Sequence, residues 1–347
     1  MNAGEFIGQL AVKVKQEKVD ALDKKILYLL SLNARISNTS IAGHLKLSRE
    51  VVTYRIKRMQ DIGVLHGYLT LVNSQKAGLH SQTIGLKLHT PIKTEDVITH
   101  LHTLPGVTKI THSGGMFDIL LTIMGENLES CYDKFQDVLA EHGHKVKQYH
   151  IYTKLEQDFI GLKMLIPEPK EQKYLEKIQE KKGSAFQKSF QQQKNIGGKI
   201  EIEPIDRNIL AVLQHDARIP LTDLANKCNI SVFQIQNRMQ RLIQQGIIQK
   251  FIPYISLAHF GLQFNVVFLN VKKEAETKFK TLVEQHPYIV WRSKHLGLHN
   301  YKLSLFVRNN AHLSDILQEM CTEFGENISH IESLPVFKSP KYSSFRT

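Results

Sequence analysis

The sequence has little of what marks a secreted, zinc-binding or membrane-spanning protein. Its three cysteines, Cys131, Cys228 and Cys321, lie far apart and form no CxxC spacing, which argues against a disulfide framework and a zinc ribbon. No stretch approaches the roughly 20 apolar residues that a membrane span needs. The N-terminal segment carries Glu5 and then lysines from Lys13, without the long apolar run of a signal peptide. We therefore expect a soluble, cytoplasmic protein that does not bind membranes.

The signatures of common enzyme sites are missing as well. The chain shows no Ser-His-Asp order, no phosphate-binding loop and no dinucleotide fingerprint. Its 17 histidines include two close pairs, His100 with His102 and His142 with His144, and only Glu141 accompanies them at ligand spacing. We interpret these histidines as surface or helix-end residues, and we predict no catalytic residue, no metal site and no cofactor.

Positive charge is what the chain has in excess. Its 45 lysines and arginines outnumber 33 aspartates and glutamates, which gives a formal net charge of +12. A charge of this size attracts polyanions, nucleic acid first and anionic membrane surfaces second. A merely basic soluble protein has the same property, so charge alone does not decide between these partners.

The chain is an internal duplication. The segment that starts at Asp23 recurs at Asp206 with a constant offset of 183 residues and no gap. The residues that recur are Asp23, Ile26, Leu27, Leu30, Ala34, Arg35, Ile36, Thr39, Ala42, Ser48, Arg55 and Gly63, which match Asp206, Ile209, Leu210, Leu213, Ala217, Arg218, Ile219, Thr222, Ala225, Ser231, Arg238 and Gly246. Gly78 and Gly261 keep the offset, and Gly115 and Gly297 match after a slip of one residue.

Each copy begins with the pattern of a helix-turn-helix. In the first copy, Ser37 and Ser48 are suitable N-caps for a second helix and for a third helix from Arg49 to about Ile62. Gly63 ends the third helix, and residues 64–72 supply a strand-forming wing. The outer face of this third helix carries the candidate DNA-binding residues Ser48, Arg49, Thr53, Tyr54, Lys57 and Arg58.

The second copy repeats the design with different side chains. Ser231 and Gln234 form a capping box at its third helix. The outer face there carries the candidate DNA-binding residues Val232, Gln236, Asn237, Gln240 and Arg241. Arg55 and Arg238 flank the apolar stripe instead, and we expect them to brace the fold or to touch backbone phosphate.

A charged outer face is usually only a solvated face. Here it lies on the third helix of a helix-turn-helix pattern, twice, in a basic chain, and this favours double-stranded DNA as the partner. Arginine and lysine hydrogen-bond guanine, whereas asparagine and glutamine pair with adenine. We therefore expect the first copy to prefer guanine through Arg49, Lys57 and Arg58, and the second to prefer adenine, so that operators are imperfect palindromes.

The second half of each copy alternates strands and helices in the order βαββαβ. In the first copy the predicted elements are residues 83–89, 95–104, 107 onward, 117–124, a helix capped by Asn127, and 146–152. In the second copy they are residues 264–271, 275–283, 289–293, 301–307, 313–324 and 328–334. This order is that of a ferredoxin-like sandwich.

These modules divide the chain into six predicted segments and make it an α+β protein. They are an N-terminal extension (1–19), a winged helix-turn-helix (20–75), a ferredoxin-like sensor domain (76–166), a linker (167–203), a second winged helix-turn-helix (204–258) and a second sensor domain (259–340). The middle of the linker, Gln172 to Lys182, has the composition of a solvated helix.

A helix-turn-helix followed by a βαββαβ domain resembles the Lrp/AsnC family of feast/famine transcriptional regulators, whose sensor domain is of the RAM/AsnC type. The residues that carry the resemblance are Leu22-Asp23 through Ile26-Leu27, Asn33-Ala34-Arg35-Ile36-Ser37, Leu47-Ser48, Arg55-Ile56 and Gly63-Val64-Leu65-His66-Gly67-Tyr68. Asp216-Ala217-Arg218-Ile219 and Gly246-Ile247-Ile248 match them in the second copy.

The resemblance also implies a small-molecule effector, such as an amino acid. Gly115 to Asp118 is similar to the sensor-domain motif where family members dimerise and bind amino acids between subunits. The candidate effector-binding residues are Ser113, Gly114, Gly115, Asp118, Gly297 and Asn300. A tight hairpin would explain the two adjacent glycines equally well.

The chain departs from the family pattern in two ways. Family members carry one such unit and pair two chains, so this chain implies an intramolecular pseudo-dimer, or else a homodimer. Asn300 stands where the first copy has Asp118. A carboxylate that accepts from an amino group is therefore present in one copy only, and effector binding is expected to be asymmetric, altered or lost.

Two other classes of function remain open. Sirohaem decarboxylase-like enzymes resemble the same architecture, and residues 334–338 and the triplet His299-Asn300-Tyr301 give that alternative slight support. The triplet lies one strand too late for that family's motif. The other class is an interaction protein that no longer binds DNA.

Overall fold

The computed structural model describes residues 19–90, 93–181, 189–190 and 202–342. They form two compact units. The helix-turn-helix unit comprises residues 19–79 and 163–256, and the sensor unit comprises residues 80–162 and 257–342. The predicted N-terminal extension, apart from Val19, lies outside the described residues.

Both copies have the same order of helices and strands. Those of the first copy are α1 (Ala21–Leu32), α2 (Asn38–Leu45), α3 (Arg49–Asp61), β1 (Leu65–Val72), β2 (His80–Leu88), α4 (Thr94–Leu101), β3 (Val107–Ser113), β4 (Ile119–Gly125), α5 (Leu128–His142) and β5 (Val146–Phe159). A connecting helix, α6 (Pro169–Lys181), follows. Those of the second copy are α7 (Pro204–His215), α8 (Leu221–Cys228), α9 (Val232–Gln244), β6 (Ile248–Ile255), β7 (Gln263–Val271), α10 (Glu276–Gln285), β8 (Ile289–Leu296), β9 (Tyr301–Val307), α11 (Asn310–Phe324) and β10 (Ile328–Tyr342). The mixed α+β class predicted from the sequence is confirmed.

Two helices of the first helix-turn-helix, α2 and α3, and the third helix of the second, α9, begin at the caps that the sequence predicts. The Ser48 hydroxyl accepts from the backbone N–H of Val51 at the start of α3, and the reciprocal bonds of Ser231 and Gln234 start α9. The core face of α3 consists of Val52, Ile56 and Met59, all buried. This packing fixes which side of α3 is left to solvent.

The turn between the second and third helices needs a left-handed residue in both copies. Lys46 ends α2 with φ +56°, and Asn229 ends α8 with φ +54°. The two positions match at the 183-residue offset. Asparagine tolerates this conformation, whereas a side chain such as lysine meets its own carbonyl there.

Replacing Lys46 by asparagine is expected to stabilise the protein by about 0.5–1 kcal/mol, because it relieves part of the cost of a left-handed residue. The midpoint of denaturant unfolding measures the change. The reciprocal substitution, Asn229→Lys, is the matched control and is expected to lower stability by a similar amount. If both substitutions changed the stability by the same amount in the same direction, the left-handed conformation would not be the cause of the change.

Among the described residues, the predicted wing of each copy pairs with the wing of the other copy and not with a strand of its own module. Strands β1 and β6 pair with each other, antiparallel, with Tyr68 opposite Pro253 and Leu71 opposite Lys250. The wings therefore join the two helix-turn-helix modules in one sheet. Local periodicity predicts the strands but carries no information about this partner.

Each sensor module has its four strands on one side and its two helices on the other. The strand order is β3-β4-β2-β5 in the first module and β8-β9-β7-β10 in the second. The buried side chains of α4 and α5 pack on alternate residues of the first sheet, such as Ile84, Leu86 and Leu121. Helices α10 and α11 pack in the same way on the second sheet, against residues such as Leu303 and Leu305.

The two sheets close into one eight-stranded barrel. Strand β5 continues to Phe159, beyond the predicted end at Tyr152, and its extension pairs with β8. Strand β10 continues to Tyr342, beyond the predicted end at Leu334, and its extension pairs with β3. Both predicted ends are too early because the added residues pair with the other module.

Helix α6 packs on α1 and is less solvated than the sequence predicts. Leu175 is buried, the Tyr28 hydroxyl donates to Glu176 at 2.7 Å, and Lys25 pairs with Glu171 at 2.6 Å. Burial raises the pKa of the Tyr28 phenol, and the Glu176 carboxylate raises it further. Over the described ranges, none of the helices is long and apolar enough to cross a membrane.

Candidate nucleic-acid interface

The outer face of α3 is exposed and carries two cations. Arg49, Thr53, Tyr54 and Lys57 are exposed, with Tyr54 at 67% of its full accessibility. Arg49 and Lys57 have no ion-pair partner among the described residues. Thr53 is held in place, since its hydroxyl donates to the Arg49 carbonyl at 2.9 Å.

The structure places Arg58 differently from the sequence prediction. Its guanidinium donates to the buried carboxylate of Asp23 on α1 at 2.6 Å. Arg55, one turn earlier, donates to Asp20 and Asp23 at 2.7 and 2.9 Å. Both arginines thus hold α3 against α1. Arg55 and Arg58 stay with Asp23 because this carboxylate is fully buried and its negative charge needs a positive charge beside it.

This ion-pair cluster shifts the pKa of Asp20 and the pKa of Arg55. Burial alone would raise the pKa of Asp20, but hydrogen bonds from the Asp23 backbone and from Arg55 lower it overall. The Asp20 hydrogen bond raises the pKa of Arg55 against the opposing effect of burial. The expected role of Arg55 as a brace agrees with this geometry.

The second copy repeats the cluster with one acidic substitution. Arg238 donates to Asp206 and Glu203, both at 3.0 Å. Arg241 donates to Glu203 at 2.9 Å and also to Asp206. Hydrogen bonds from Arg238 and Arg241 lower the pKa of Glu203. Arg241, predicted to contact DNA, is therefore engaged with α7 in the way that Arg58 is engaged with α1.

The remaining face of α9 is uncharged. Val232 and Asn237 are exposed, and Gln236 and Gln240 are half-exposed. Phe233, at 72% of its full accessibility, stands beside them in the first turn, and the sequence prediction missed it. Phe233 is 183 residues after Glu50 and therefore occupies the same position in the second copy. The replacement of a charged residue by an exposed phenylalanine at equivalent positions is the sequence signal that could have identified it.

The two helix-turn-helix modules exchange arginines across their junction. Arg35 donates to the carbonyls of Ala217 and Ile219 at 2.7 and 2.9 Å. Arg218, its equivalent, donates to the Ile36 carbonyl at 3.0 Å and to the Tyr68 hydroxyl at 3.1 Å. Burial lowers the pKa of Arg35 to about 10, so it is still charged at neutral pH.

The same junction is connected by hydrogen bonds to the reading face of α3, which is the exposed face with Arg49, Thr53, Tyr54 and Lys57. Arg218 donates to the Asn38 side chain at 3.1 Å. Asn38 in turn donates to the Thr53 hydroxyl at 3.0 Å. A residue of the second copy therefore orients a predicted DNA-contacting residue of the first.

The candidate effector residues of the first sensor module lie in the β3–β4 hairpin. The Ser113 hydroxyl donates to the Phe117 carbonyl, and Gly115 has φ +87°. The Asp118 carboxylate accepts from the Lys87 ammonium at 2.9 Å and from the Leu88 backbone at 2.8 Å. Both of its oxygens are therefore engaged inside the module.

Gly114, between Ser113 and Gly115, lies where the β3–β4 hairpin meets β10. A Cβ on Gly114 would lie 2.9 Å from the Phe337 ring, and its backbone N–H donates to the Pro335 carbonyl. The β3–β4 hairpin thus rests on a strand of the second module.

The candidate residues of the second module occupy the equivalent β8–β9 hairpin. Asn300 accepts from the Val271 backbone N–H at 2.9 Å and donates to its carbonyl at 2.7 Å, which reproduces the strand-end contact of Asp118 without a charge. A Cβ on Gly297 would lie 2.9 Å from the Ile151 carbonyl. The two hairpins are separate, and each rests on a strand of the other module.

The hairpins converge on an aromatic cluster. Phe117 and His299 are equivalent residues of the two hairpins, and both contact the rings of Tyr152 and Phe268. The Tyr152 hydroxyl and His299 Nδ1 are 3.1 Å apart. Burial raises the pKa of Tyr152, so its phenol is neutral.

The histidine pairs noted in the sequence meet each other. His100 Nδ1 lies 2.8 Å from His142 Nε2. His142 is the last residue of α5, as the prediction of a helix-end residue requires, but it is buried and does not lie on the surface. Within the described ranges, no group of three potential metal ligands is found.

Comparison with known proteins bears on both halves of the chain. Residues 19–65 and 202–249 match the winged helix-turn-helix DNA-binding family. The HTH-type transcriptional regulator LysM of Sulfurisphaera tokodaii is 30% identical over 128 residues, which are 36% of this chain and 88% of that protein. The leucine-responsive regulatory protein of Rhizobium meliloti is 29% identical over 131 residues, which are 37% of this chain and 81% of that protein.

A structural relative spans both copies. The crystal structure of the siroheme decarboxylase NirDL superposes with a TM-score of 0.61 and covers 93% of each chain, at 12% sequence identity. This similarity supports the tandem architecture of the fold. The regulator relatives match about one copy each, and with the matches of both helix-turn-helix segments they show that the chain belongs to the Lrp/AsnC family of helix-turn-helix transcriptional regulators.

Proposed function

We propose that this chain is a sequence-specific DNA-binding transcriptional regulator whose two helix-turn-helix modules bind two different half-sites. The observation that carries the proposal is the pairing of two unlike reading faces in one unit, through β1 with β6 and through Arg35 and Arg218. In most family members two chains would supply the two faces. Here one chain supplies both, as an intramolecular pseudo-dimer.

The first half-site is expected to contain guanine. Arg49 and Lys57 are exposed at the start and middle of α3, where an arginine or lysine reaches the guanine edge in the major groove. Ser48 and the first turn of α3 would approach backbone phosphate. Arg58 is left out of the reading set because Asp23 holds it.

The second half-site is expected to be rich in A·T pairs. Gln236, Asn237 and Gln240 offer amides that pair with adenine, and Val232 and Phe233 offer apolar contact to the thymine methyl group. No cation of α9 other than the engaged Arg238 and Arg241 faces this site. The second module would thus contribute mainly to the choice of sequence, through its amide and apolar side chains, and little to the electrostatic attraction to phosphate.

Selection of binding sites from a random-sequence duplex library tests the proposal. We expect an imperfect palindrome, with a G-containing half and an A·T-rich half whose centres lie about one helical turn apart. A consensus with perfect two-fold symmetry would contradict two different reading faces. Failure to enrich any sequence would contradict sequence-specific binding.

An effector would act on the sensor unit at the β3–β4 hairpin. An amino acid there would place its ammonium on Asp118, in exchange for Lys87. Asp118→Asn, which copies the residue of the second module, should then abolish any response of DNA affinity to amino acids. An unchanged response would exclude this site.

The enzyme alternative rests on the fold shared with NirDL, and the buried Tyr152–His299 pair is its chemical candidate. We propose a non-enzymatic role, because the exposed cations of α3 have a use on DNA and none in a decarboxylase. Mixing the protein with an iron tetrapyrrole should leave the visible spectrum unchanged. A shift of the spectrum together with loss of carboxyl groups would favour the enzyme. Absence of both DNA and tetrapyrrole binding would favour an interaction protein.

A further inference from the structure

The hydroxyl of Thr53 is engaged in two hydrogen bonds within the protein. Thr53 is exposed on the reading face of α3, one turn after Arg49. Its hydroxyl donates to the Arg49 carbonyl at 2.9 Å and accepts from the side-chain amide of Asn38 at 3.0 Å. A hydroxyl has one proton to donate and two lone pairs that accept. The proton and one lone pair are therefore in use, and one lone pair is left for another molecule.

The direction of the bond between Asn38 and Thr53 is set by a residue of the second copy. An asparagine side chain can present either its oxygen or its amino group to a neighbour. Arg218 donates to the Asn38 oxygen at 3.1 Å, and a guanidinium has no acceptor to offer in return. Asn38 therefore keeps its oxygen toward Arg218 and its amino group toward Thr53. With the amide reversed, it would accept the Thr53 proton and present its own N–H groups to the guanidinium.

Arg218 is itself held in position by the first copy. It is half-buried, and it donates to the Ile36 carbonyl at 3.0 Å and to the Tyr68 hydroxyl at 3.1 Å. Its guanidinium also lies over the Tyr68 ring, 4.9 Å from the centre. These contacts are all made within the protein, so the side chain of Asn38 is oriented before DNA binds.

The chain of hydrogen bonds runs in one direction only, from the second copy to the first. Arg35 makes the equivalent bond across the junction, to the Ile219 carbonyl at 2.9 Å. The residue 183 positions after Asn38 is Leu221, whose side chain can neither donate nor accept a hydrogen bond. The first copy therefore cannot orient the reading face of α9 by the same route.

We propose that Arg218 and Asn38 are positioning residues that make Thr53 an acceptor only, selective for the exocyclic amino group of adenine or cytosine. In the major groove, these amino groups are the donors, whereas guanine and thymine present acceptors at the corresponding place. A threonine hydroxyl that turns freely donates or accepts as required and distinguishes them poorly. The inference rests on the proposed DNA-binding function and deepens it, because a residue of the second copy then specifies one base of the first half-site.

Loss of the Asn38 amide should return this freedom to Thr53. A helical threonine has two accessible rotamers, and the bond from Asn38 favours the one observed. Without that bond, the hydroxyl can turn away from the Arg49 carbonyl and donate to guanine or thymine. Asn38→Leu makes this change and copies Leu221, which stands at the start of α8, a helix of the same length as α2. We therefore expect the variant to fold.

Selection from a random-sequence duplex library with the full-length protein tests the proposal. Thr53→Val first identifies the base position that Thr53 reads, because valine keeps the shape of threonine and lacks the hydroxyl. At that position we expect the wild type to favour adenine or cytosine about fivefold over guanine and thymine, as one hydrogen bond would, and Asn38→Leu to reduce the preference to about twofold or less. The other positions of the half-site should keep their preferences.

Arg218→Gln and Arg35→Gln form a matched pair that separates positioning from a structural role. Each removes a guanidinium from the same junction, so both should lower the midpoint of denaturant unfolding. Only Arg218→Gln should relax the preference at the Thr53 position, because glutamine can present either end of its amide and no longer fixes the direction of Asn38. If Arg218 acted through stability alone, the two variants would leave the same base preference.

Three results would overturn the inference and leave the DNA-binding function standing. They are a selected site that Thr53→Val does not change, a preference for guanine or thymine at the Thr53 position, and a preference that Asn38→Leu leaves intact. If Arg218→Gln does not fold, Asn38→Leu decides alone. Failure of the wild type to enrich any sequence would overturn the proposed function, and this inference with it.

Discussion

Replacing Arg35 by alanine is expected to lower the free energy of unfolding of the helix-turn-helix unit by about 3 kcal/mol. The guanidinium makes two charge-assisted hydrogen bonds to the carbonyls of Ala217 and Ile219. Both of those residues are buried, so water would not easily replace the donors. The guanidinium also lies 5.6 Å from the centre of the Phe251 ring, and that contact would be lost too.

Denaturant unfolding followed by far-ultraviolet circular dichroism measures the loss. Arg207→Ala removes an exposed arginine from α7 and is the matched control, with an expected change within about 0.5 kcal/mol. Hydrogen exchange should also become faster in β1 and β6, whose pairing the Arg35 contacts support. A loss for Arg35→Ala no larger than that of the control would show that the junction does not hold the two modules together.

Transplanting the face of α3 onto α9 is expected to convert an asymmetric operator into a symmetric one. The five changes are Val232→Arg, Phe233→Glu, Gln236→Thr, Asn237→Tyr and Gln240→Lys, each to the residue 183 positions earlier. All five side chains lie off the buried stripe of Ile235, Met239 and Leu242, so the fold should persist. Since each wrong base pair costs about 1–3 kcal/mol, affinity for the original operator should fall about 100-fold or more.

Site selection with the transplanted protein gives the direct readout. We expect two copies of the G-containing half-site in inverted orientation. The control exchanges Arg241, already arginine in both copies, for lysine, and this should leave the selected sequence unchanged. If the transplanted protein still selects the A·T-rich half, residues outside α9 determine that half-site.

Much of the fold could be predicted because its signals are local. Ser37, Ser48 and Ser231 cap helices that begin where predicted, and Gly63 and Gly246 follow the ends of α3 and α9 with positive φ. The period-two pattern of residues 301–307 predicts β9 with its observed bounds. The constant offset then predicts the second copy from the first.

The pairings between copies could not be predicted, since they depend on residues far apart in the chain. Nothing in the sequence around Leu69 indicates that Ile252 lies opposite it, and the predicted ends of β5 and β10 are too early for the same reason. The candidate DNA-binding residues could be predicted only in part, for the same reason. A helical projection puts Arg58 and Arg241 on the outer face, but only the approach of α1 and α7 places carboxylates within their reach.

The measurement that tests the central claim most directly is the salt dependence of DNA binding, followed by fluorescence anisotropy of a random-sequence duplex. We expect affinity to fall steeply with salt, and Lys57→Ala to reduce the log-log slope by about one. Gln240→Ala, the same position in the second copy, should leave the slope unchanged because it removes no charge. Binding that does not depend on salt, or equal slopes for wild type, Lys57→Ala and Gln240→Ala, would contradict phosphate contact by α3 and with it the assignment of this face to DNA.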